Sequence, residues 1–300
     1  LVCRWSTAGE RPDWRVPLQF VTAALFQPVR PGGGGMSRVP ELSFRQFRED
    51  TVILRDGKQL TGVLEDVGAD SIRMETAVGA VSVEAARVAA IALDSALVRA
   101  PAAAENSALV MTKDGAWLTL HEWTVSETGE LAGRTSIGIE FRAPLADVVK
   151  IACYGPDVVD LTTRTPIEMN VTPFISRTAE MLVNRNVRGG FLRLEGRESP
   201  RGFGMTSGMS ATFAVEPGDR QFRATVGLDD MVGDAGSVEF ALELDGRRIF
   251  TSPMLTGADA AVVVGPLDIA GGERLTLTVE FAEYGNVQDV ANWCDVVIVR

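Results

Sequence analysis

Five aspartates near the C-terminus have the type and spacing to do chemistry. Asp229, Asp230 and Asp234 fall in a turn after an apolar run, and Asp289 and Asp295 lie near a second one. Carboxylates, amide side chains and backbone carbonyls are the ligands that a hard cation such as Ca²⁺ selects. If the two loops meet, Asp229, Asp230, Asp289 and Asp295 form a calcium site. If they do not, these aspartates are turn formers and solvated charges. Trp293 stands between the last two of them. Its ring either stacks on a sugar or buries roughly 150–250 Å² in a core.

Other chemistry is thinly supplied. His121 is the single histidine, so a site needing two is excluded. His121 falls in a small-barrel region separate from Ser207 and Ser210, which leaves no serine triad. Cys3, Cys153 and Cys294 form no CxxC pair and read as three separate thiols, with one disulfide left open. That supply is too small for a zinc cluster. Gly32 to Gly35 is not followed by Lys-Ser/Thr, so no phosphate loop is present. Glycoside hydrolysis needs two carboxyls at a set separation, and no recognisable catalytic frame presents them. The sequence reads as a binder, not an enzyme.

These residues must be held by strands. Ser237 to Leu244 alternates Val238, Phe240, Leu242 and Leu244 with Glu239, Ala241, Glu243 and Asp245, and Leu275, Leu277, Val279 and Phe281 repeat the pattern within Arg274 to Phe281. Such strands have one face in a core and one in water. Further strands are expected at Phe191–Leu194, Ala211–Val215, Gln221–Leu228, Arg248–Thr251, Ala261–Val264 and Val296–Val299. Eight short strands between turn residues predict a β-sandwich.

Several landmarks in this part carry a resemblance. They are Gly202-Phe203-Gly204-Met205-Thr206 after Leu192-Arg193-Leu194, then Ala224-Thr225-Val226-Gly227-Leu228-Asp229-Asp230. Gly236-Ser237-Val238-Glu239-Phe240 follows, with Asp245-Gly246 in the turn, and then Asp289-Val290-Ala291-Asn292-Trp293-Cys294-Asp295. In order and spacing these resemble the NPCBM family of carbohydrate-binding modules over Val183 to Arg300. The resemblance implies a galactose-binding-type jelly roll that recognises galactose-like or related glycans. It points to Thr206, Asp230, Asn292 and Trp293 as sugar-binding residues. Two departures stand out. The family has histidine where this chain has Thr206, and His-Ala-Asp-Trp where it has Val290-Ala291-Asn292-Trp293.

The preceding part reads as short strands too. Thr51–Arg55 leads into Asp56-Gly57, a hairpin signal, and Gln59–Asp66 follows. Ser71–Thr76, Val81–Val83 and Ala89–Leu93 complete a meander that must curl to bury a core. The pattern recurs. Asp56-Gly57-Lys58-Gln59-Leu60-Thr61 matches Asp114-Gly115-Ala116-Trp117-Leu118-Thr119, and Arg87-Val88-Ala89-Ala90-Ile91 matches Asp147-Val148-Val149-Lys150-Ile151. The form resembles Sm-like small β-barrels of the kind repeated in extracytoplasmic proteins of planctomycete-type bacteria. It implies spacer or docking modules, through which a protein partner is expected.

Fold class is therefore all-β, with two small Sm-like barrels followed by a jelly-roll β-sandwich. The 300 residues divide into a disordered leader at 1–37, barrels at 38–99 and 106–160, a connector at 161–183 and the sandwich at 184–300. Asp and Glu number 40 against 29 Lys and Arg, a net charge of −11, which repels phosphate backbones and argues against nucleic acid. No apolar run is long enough to span a bilayer. The chain starts at Leu1, so the leader is a poor secretory signal, a truncated upstream region or spurious translation before Met36. The expected protein is a non-catalytic glycan binder outside the cytoplasm, or in it if Met36 is the start. The competing expectations are a surface interaction module that has lost sugar binding and an accessory part of a longer glycoside hydrolase.

Overall fold

The computed structural model describes residues 47–68, 70–96, 106–113, 117–135, 138–172, 179–283 and 285–300, with the backbone of 2–3, 14–15 and 23–25. Its described residues contain strands and 3-10 turns but no α-helix, so the all-β expectation holds. The chain forms two compact units, Leu1–Cys153 and Tyr154–Arg300.

The first unit begins with short pairings. Strand β1 (Val2–Cys3) pairs with β2 (Trp14–Arg15), and β3 (Ala23–Leu25) lies on the edge of the first large sheet. That sheet holds β4 (Asp50–Leu54), β5 (Gln59–Val67), β6 (Ser71–Thr76), β7 (Gly79–Glu84) and β8 (Val88–Ala92), in the order β3-β8-β4-β5-β6-β7. Val52, Leu54, Ile72, Met74, Val83, Val88 and Ile91 share one buried cluster. Side chains from β7 and β8 meet in it, so the meander does curl. The leader was expected to be disordered. Apart from β1 to β3 it lies outside the described residues, and β3 corrects the expectation by pairing Ala23, Ala24 and Leu25 with Ala92, Ile91 and Ala90.

A second sheet repeats the first. Its strands are β9 (Ser107–Thr112), β10 (Trp117–Val125), β11 (Glu130–Thr135), β12 (Glu140–Pro144) and β13 (Val148–Tyr154), ordered β12-β11-β10-β9-β13. In both sheets the fifth strand of the set pairs with the first, and a 3-10 turn, Ala85–Arg87 or Leu145–Asp147, precedes it. The motif matches at Asp56 and Arg87 thus correspond to one five-stranded topology used twice. Ala108, Val110, Leu120, Leu131 and Phe141 form the second core. The turn at Asp114-Gly115-Ala116 and residues 97–105 between the two sheets lie outside the described residues.

The second unit is a sandwich of two antiparallel sheets. It takes in strands that the sequence reading gave to the barrel and the connector, namely β14 (Val158–Asp160), β15 (Glu168–Val171) and β16 (Leu182–Val183). A separate hairpin, β17 (Leu192–Leu194) with β18 (Arg197–Ser199), precedes β19 (Gly202–Met205), β20 (Met209–Ala214) and β21 (Gln221–Leu228). Then follow β22 (Ser237–Leu244), β23 (Arg247–Thr251), β24 (Leu255–Thr256), β25 (Val262–Asp268), β26 (Arg274–Phe281) and β27 (Ala291–Val299). One sheet runs β16-β19-β27-β21-β25 with β14 on β27; the other runs β15-β20-β26-β22-β23 with β24 on β22. The apolar alternations meet between them. Phe203, Phe222, Val226 and Trp293 from the first sheet pack on Phe213, Phe240, Leu242 and Leu277 from the second.

Candidate functional site

One end of the sandwich gathers the loops that matter. There β19, β21 and β26 end and β20, β22 and β27 begin, so the turns at 206–208, 229–236 and 282–290 cluster together. Beside them the β17–β18 hairpin lies across the outer face of the first sheet. Antiparallel register sets Gly204, Asn292 and Gly227 opposite one another on β19, β27 and β21. Their side chains therefore share the face opposite Trp293. A Cβ on Gly204 would sit 2.2 Å from the carbonyl oxygen of Arg185, so only glycine lets the 185–194 segment lie this close. Leu192, Leu194 and Cys294 make a small satellite core there with Ala261.

Asp229 locks this arrangement. It is 2 % exposed, and its carboxylate accepts four hydrogen bonds. Oδ2 accepts from Asn292 Nδ2 at 2.7 Å, the Arg193 amide at 3.0 Å and Asn186 Nδ2 at 3.2 Å, while Oδ1 accepts from the Met231 amide at 3.1 Å. A buried carboxylate is tolerated when donors replace its water. Asn186 extends the network by accepting from the Arg188 and Gly190 amides at 3.0 Å each.

The next residue does the opposite. Asp230 is exposed and lines a cavity of about 320 Å³ with Leu194, Glu195, Gly227, Leu228 and residues 257–261. That size falls at the lower end of the roughly 300–1,000 Å³ of small-molecule sites. Glu195 and Gly196 form the hairpin's two-residue turn with φ of +54° and +74°. Both angles are positive, as a type I′ turn requires. Asp230 Oδ2 accepts from the Gly196 amide at 2.7 Å, and Glu195 Oε1 accepts from the Ala261 amide at 3.3 Å. On the third wall, Asp259 Oδ2 accepts from the Thr256 hydroxyl at 2.7 Å and its amide at 2.8 Å. Those bonds hold the Asp259 carboxyl below the usual carboxylate range. Three carboxylates from three segments thus face one cavity, each fixed through one oxygen.

Of the sugar-binding and calcium residues expected from the sequence, only Asp230 lines this cavity. Trp293 is corrected to core. It belongs to the paired part of β27, which starts at Ala291 and not at Val296. It is fully buried, edge-on to Phe240 at 5.4 Å and Phe222 at 6.2 Å, and offers no face to a sugar. Asn292, also fully buried, serves Asp229. Thr206 sits in the β19–β20 turn with its amide directed at Met209 Sδ, 3.4 Å away, and does not line the cavity.

The four aspartates expected to hold calcium sit in separate hydrogen-bond settings. Asp289 joins the two sheets, accepting from Ser207 Oγ at 2.6 Å and the Ser237 amide at 2.9 Å. Burial drives its carboxyl above the usual range, against those two hydrogen bonds. Asp295 accepts from Ser199 Oγ at 3.1 Å at a bulge further along β27, with φ +52°. Asp229 is saturated by internal donors. Among the described residues no three His, Cys, Asp or Glu side chains are placed to hold a metal ion. The sequence reading missed Glu195, Asp259 and the small residues of 257–261. The Glu-Gly turn between Leu194 and Arg197 was the available signal for the first.

Residues 168–299 match the family model described as the NPCBM/NEW2 domain, and the whole cavity falls within them. A curated relative from Renibacterium salmoninarum, named "Putative endo-alpha-N-acetylgalactosaminidase", is 32% identical over 103 residues. The match covers 34% of this chain but 7% of that protein, so the chain spans a small part of its relative's length. Among solved structures the chain is similar to CBM51 from Clostridium perfringens GH95 in complex with methyl-galactose, with 21% identity, TM-score 0.43, and coverage of 47% of this chain and 99% of that one. It is also similar to a Clostridium perfringens ZmpB structure holding CBM51-2 in complex with GlcNAc and INT domains, with 18% identity, TM-score 0.44, and coverage of 60% and 40%.

Proposed function

We propose that the C-terminal unit binds galactose-like or related glycans without turning them over, in the cavity between the β17–β18 hairpin tip, the end of β21 and the 257–261 loop. The observation that carries this reading is the cavity itself. It converges Glu195, Asp230 and Asp259 inside the NPCBM/NEW2 match. Sugar hydroxyls donate well to carboxylate oxygens, and charge-assisted hydrogen bonds are roughly twice as strong as neutral ones. The two five-stranded sheets act in this reading as spacers or docking modules, and the protein works outside the cytoplasm. No helix among the described residues is long and apolar enough to cross a membrane.

The test is a glycan-array screen of the full chain, followed by titration of each hit. The expected result is binding to terminal galactose-type sugars that persists with chelator present and yields no cleaved product. Ala258 is exposed on the cavity wall. Ala258→Trp should fill the space and abolish binding with an unchanged melting temperature. Binding that survives this substitution moves the site elsewhere.

A further inference from the structure

We propose that the cavity is charge-selective, taking hexosamines with a free protonated amine ahead of neutral hexoses and rejecting uronic acids. This rests on the glycan-binding reading and names the class of sugar within it. None of the residues lining the cavity is basic, and none is aromatic. The three side chains that carry charge are all carboxylates, and they come from the hairpin tip, the turn after β21 and the 257–261 loop.

Each carboxylate spends one oxygen on internal donors. Glu195 uses Oε1 on Ala261, Asp230 uses Oδ2 on Gly196, and Asp259 uses Oδ2 on Thr256. Their second oxygens meet no donor among the described residues, so three fixed anionic acceptors are available to a ligand. A neutral sugar gains hydrogen bonds from them, but no aromatic face covers its C–H groups. An ammonium group brings three donors and a matching charge. A carboxylate on the ligand meets like charge on every wall and loses its hydration without compensation.

The test is calorimetric titration of the full chain with galactosamine, galactose and galacturonate, at low and raised salt and mildly acidic pH. The expected order places galactosamine about tenfold tighter than galactose, as one or two partly exposed ion pairs allow. Galacturonate should not bind. Raised salt should erase the amine advantage and leave galactose binding unchanged. Glu195→Gln with Asp259→Asn keeps the oxygens that accept from Ala261 and Thr256 and should cut the amine advantage to what Asp230 alone supplies. Melting temperature checks the fold of this variant, and the wild-type comparison decides the matter even if the variant does not fold. Equal affinity for galactosamine and galactose, or binding of galacturonate, overturns charge selectivity and leaves the glycan reading standing. Binding of none of the three overturns both.

Discussion

Asp229 and Asp230 are neighbours with opposite fates. The first is buried under four hydrogen bonds; the second faces the cavity. Asp229→Asn turns one acceptor oxygen into an NH₂ group directed at Asn186 or Asn292 donors. It should cost about 2 kcal/mol or more, because buried donors lose their acceptor. Urea unfolding checks this, and a change under half that size contradicts the role. Asp289 supplies a pH test. Burial raises its carboxyl, so its charged form costs stability at neutral pH. That cost is relieved as pH falls through the raised value toward the ordinary carboxylate range. Asp289→Asn should melt no lower than wild type at neutral pH and should lack the acid-side gain. The residue types were legible in the sequence, since an aspartate-rich end was visible. Their division into buried anchor and open wall was not, because it depends on which loop folds over which strand. Trp293 is the sharpest case. Its type and apolar neighbours favour burial, the family resemblance favours stacking, and the extra length of β27 decides for burial.

Elements with strict period-two alternation were readable to the residue, as β21, β22 and β26 show. The glycine-rich β19 was missed because Gly202 and Gly204 give no outward side chain to alternate. Those glycines are the reason the hairpin can lie on the sheet. Gly204→Ala forces a Cβ into the Arg185 backbone and should cost roughly 2 kcal/mol, near the middle of the overpacking range. It should also weaken sugar binding, although Gly204 does not line the cavity. The early strand β14 has no local signal that separates it from the second barrel. Its place on β27 is secured at a distance, where Arg164, just past β14, clamps Asp219 at 2.6 and 3.0 Å. Arg300 Nε adds a bond to Asp219 at 3.1 Å. Burial alone would raise the Asp219 carboxyl, yet bonds from Arg164, the Glu216 amide and Arg300 hold it low. Its contribution is therefore present above the ordinary carboxylate pKa and is lost as pH falls through the lowered value, below about pH 4. Asp219→Asn should cost about 2 kcal/mol at neutral pH, since Arg164 and Arg300 lose their buried partner and keep only the half-exposed Glu216. Its effect should vanish in strong acid, and a pH-independent loss contradicts the clamp.

The whole molecule joins a duplicated five-stranded topology to a jelly-roll unit. The duplication was legible because two motif pairs kept nearly constant spacing, and hairpin turns depend on local residues. The extent of the sandwich was not, because β14 to β16 are short strands whose pairing partners lie 20 to 140 residues away. The net charge of −11 continues into the cavity, where every charged wall is anionic. The most direct measurement is an amide NMR titration of the full chain with galactosamine and galactose. Shifts confined to 194–196, 227–230 and 257–261, larger for the amine, are the expected result. Shifts centred on the 206–208 turn and Asp289, or no shift with either sugar, contradict binding in this cavity.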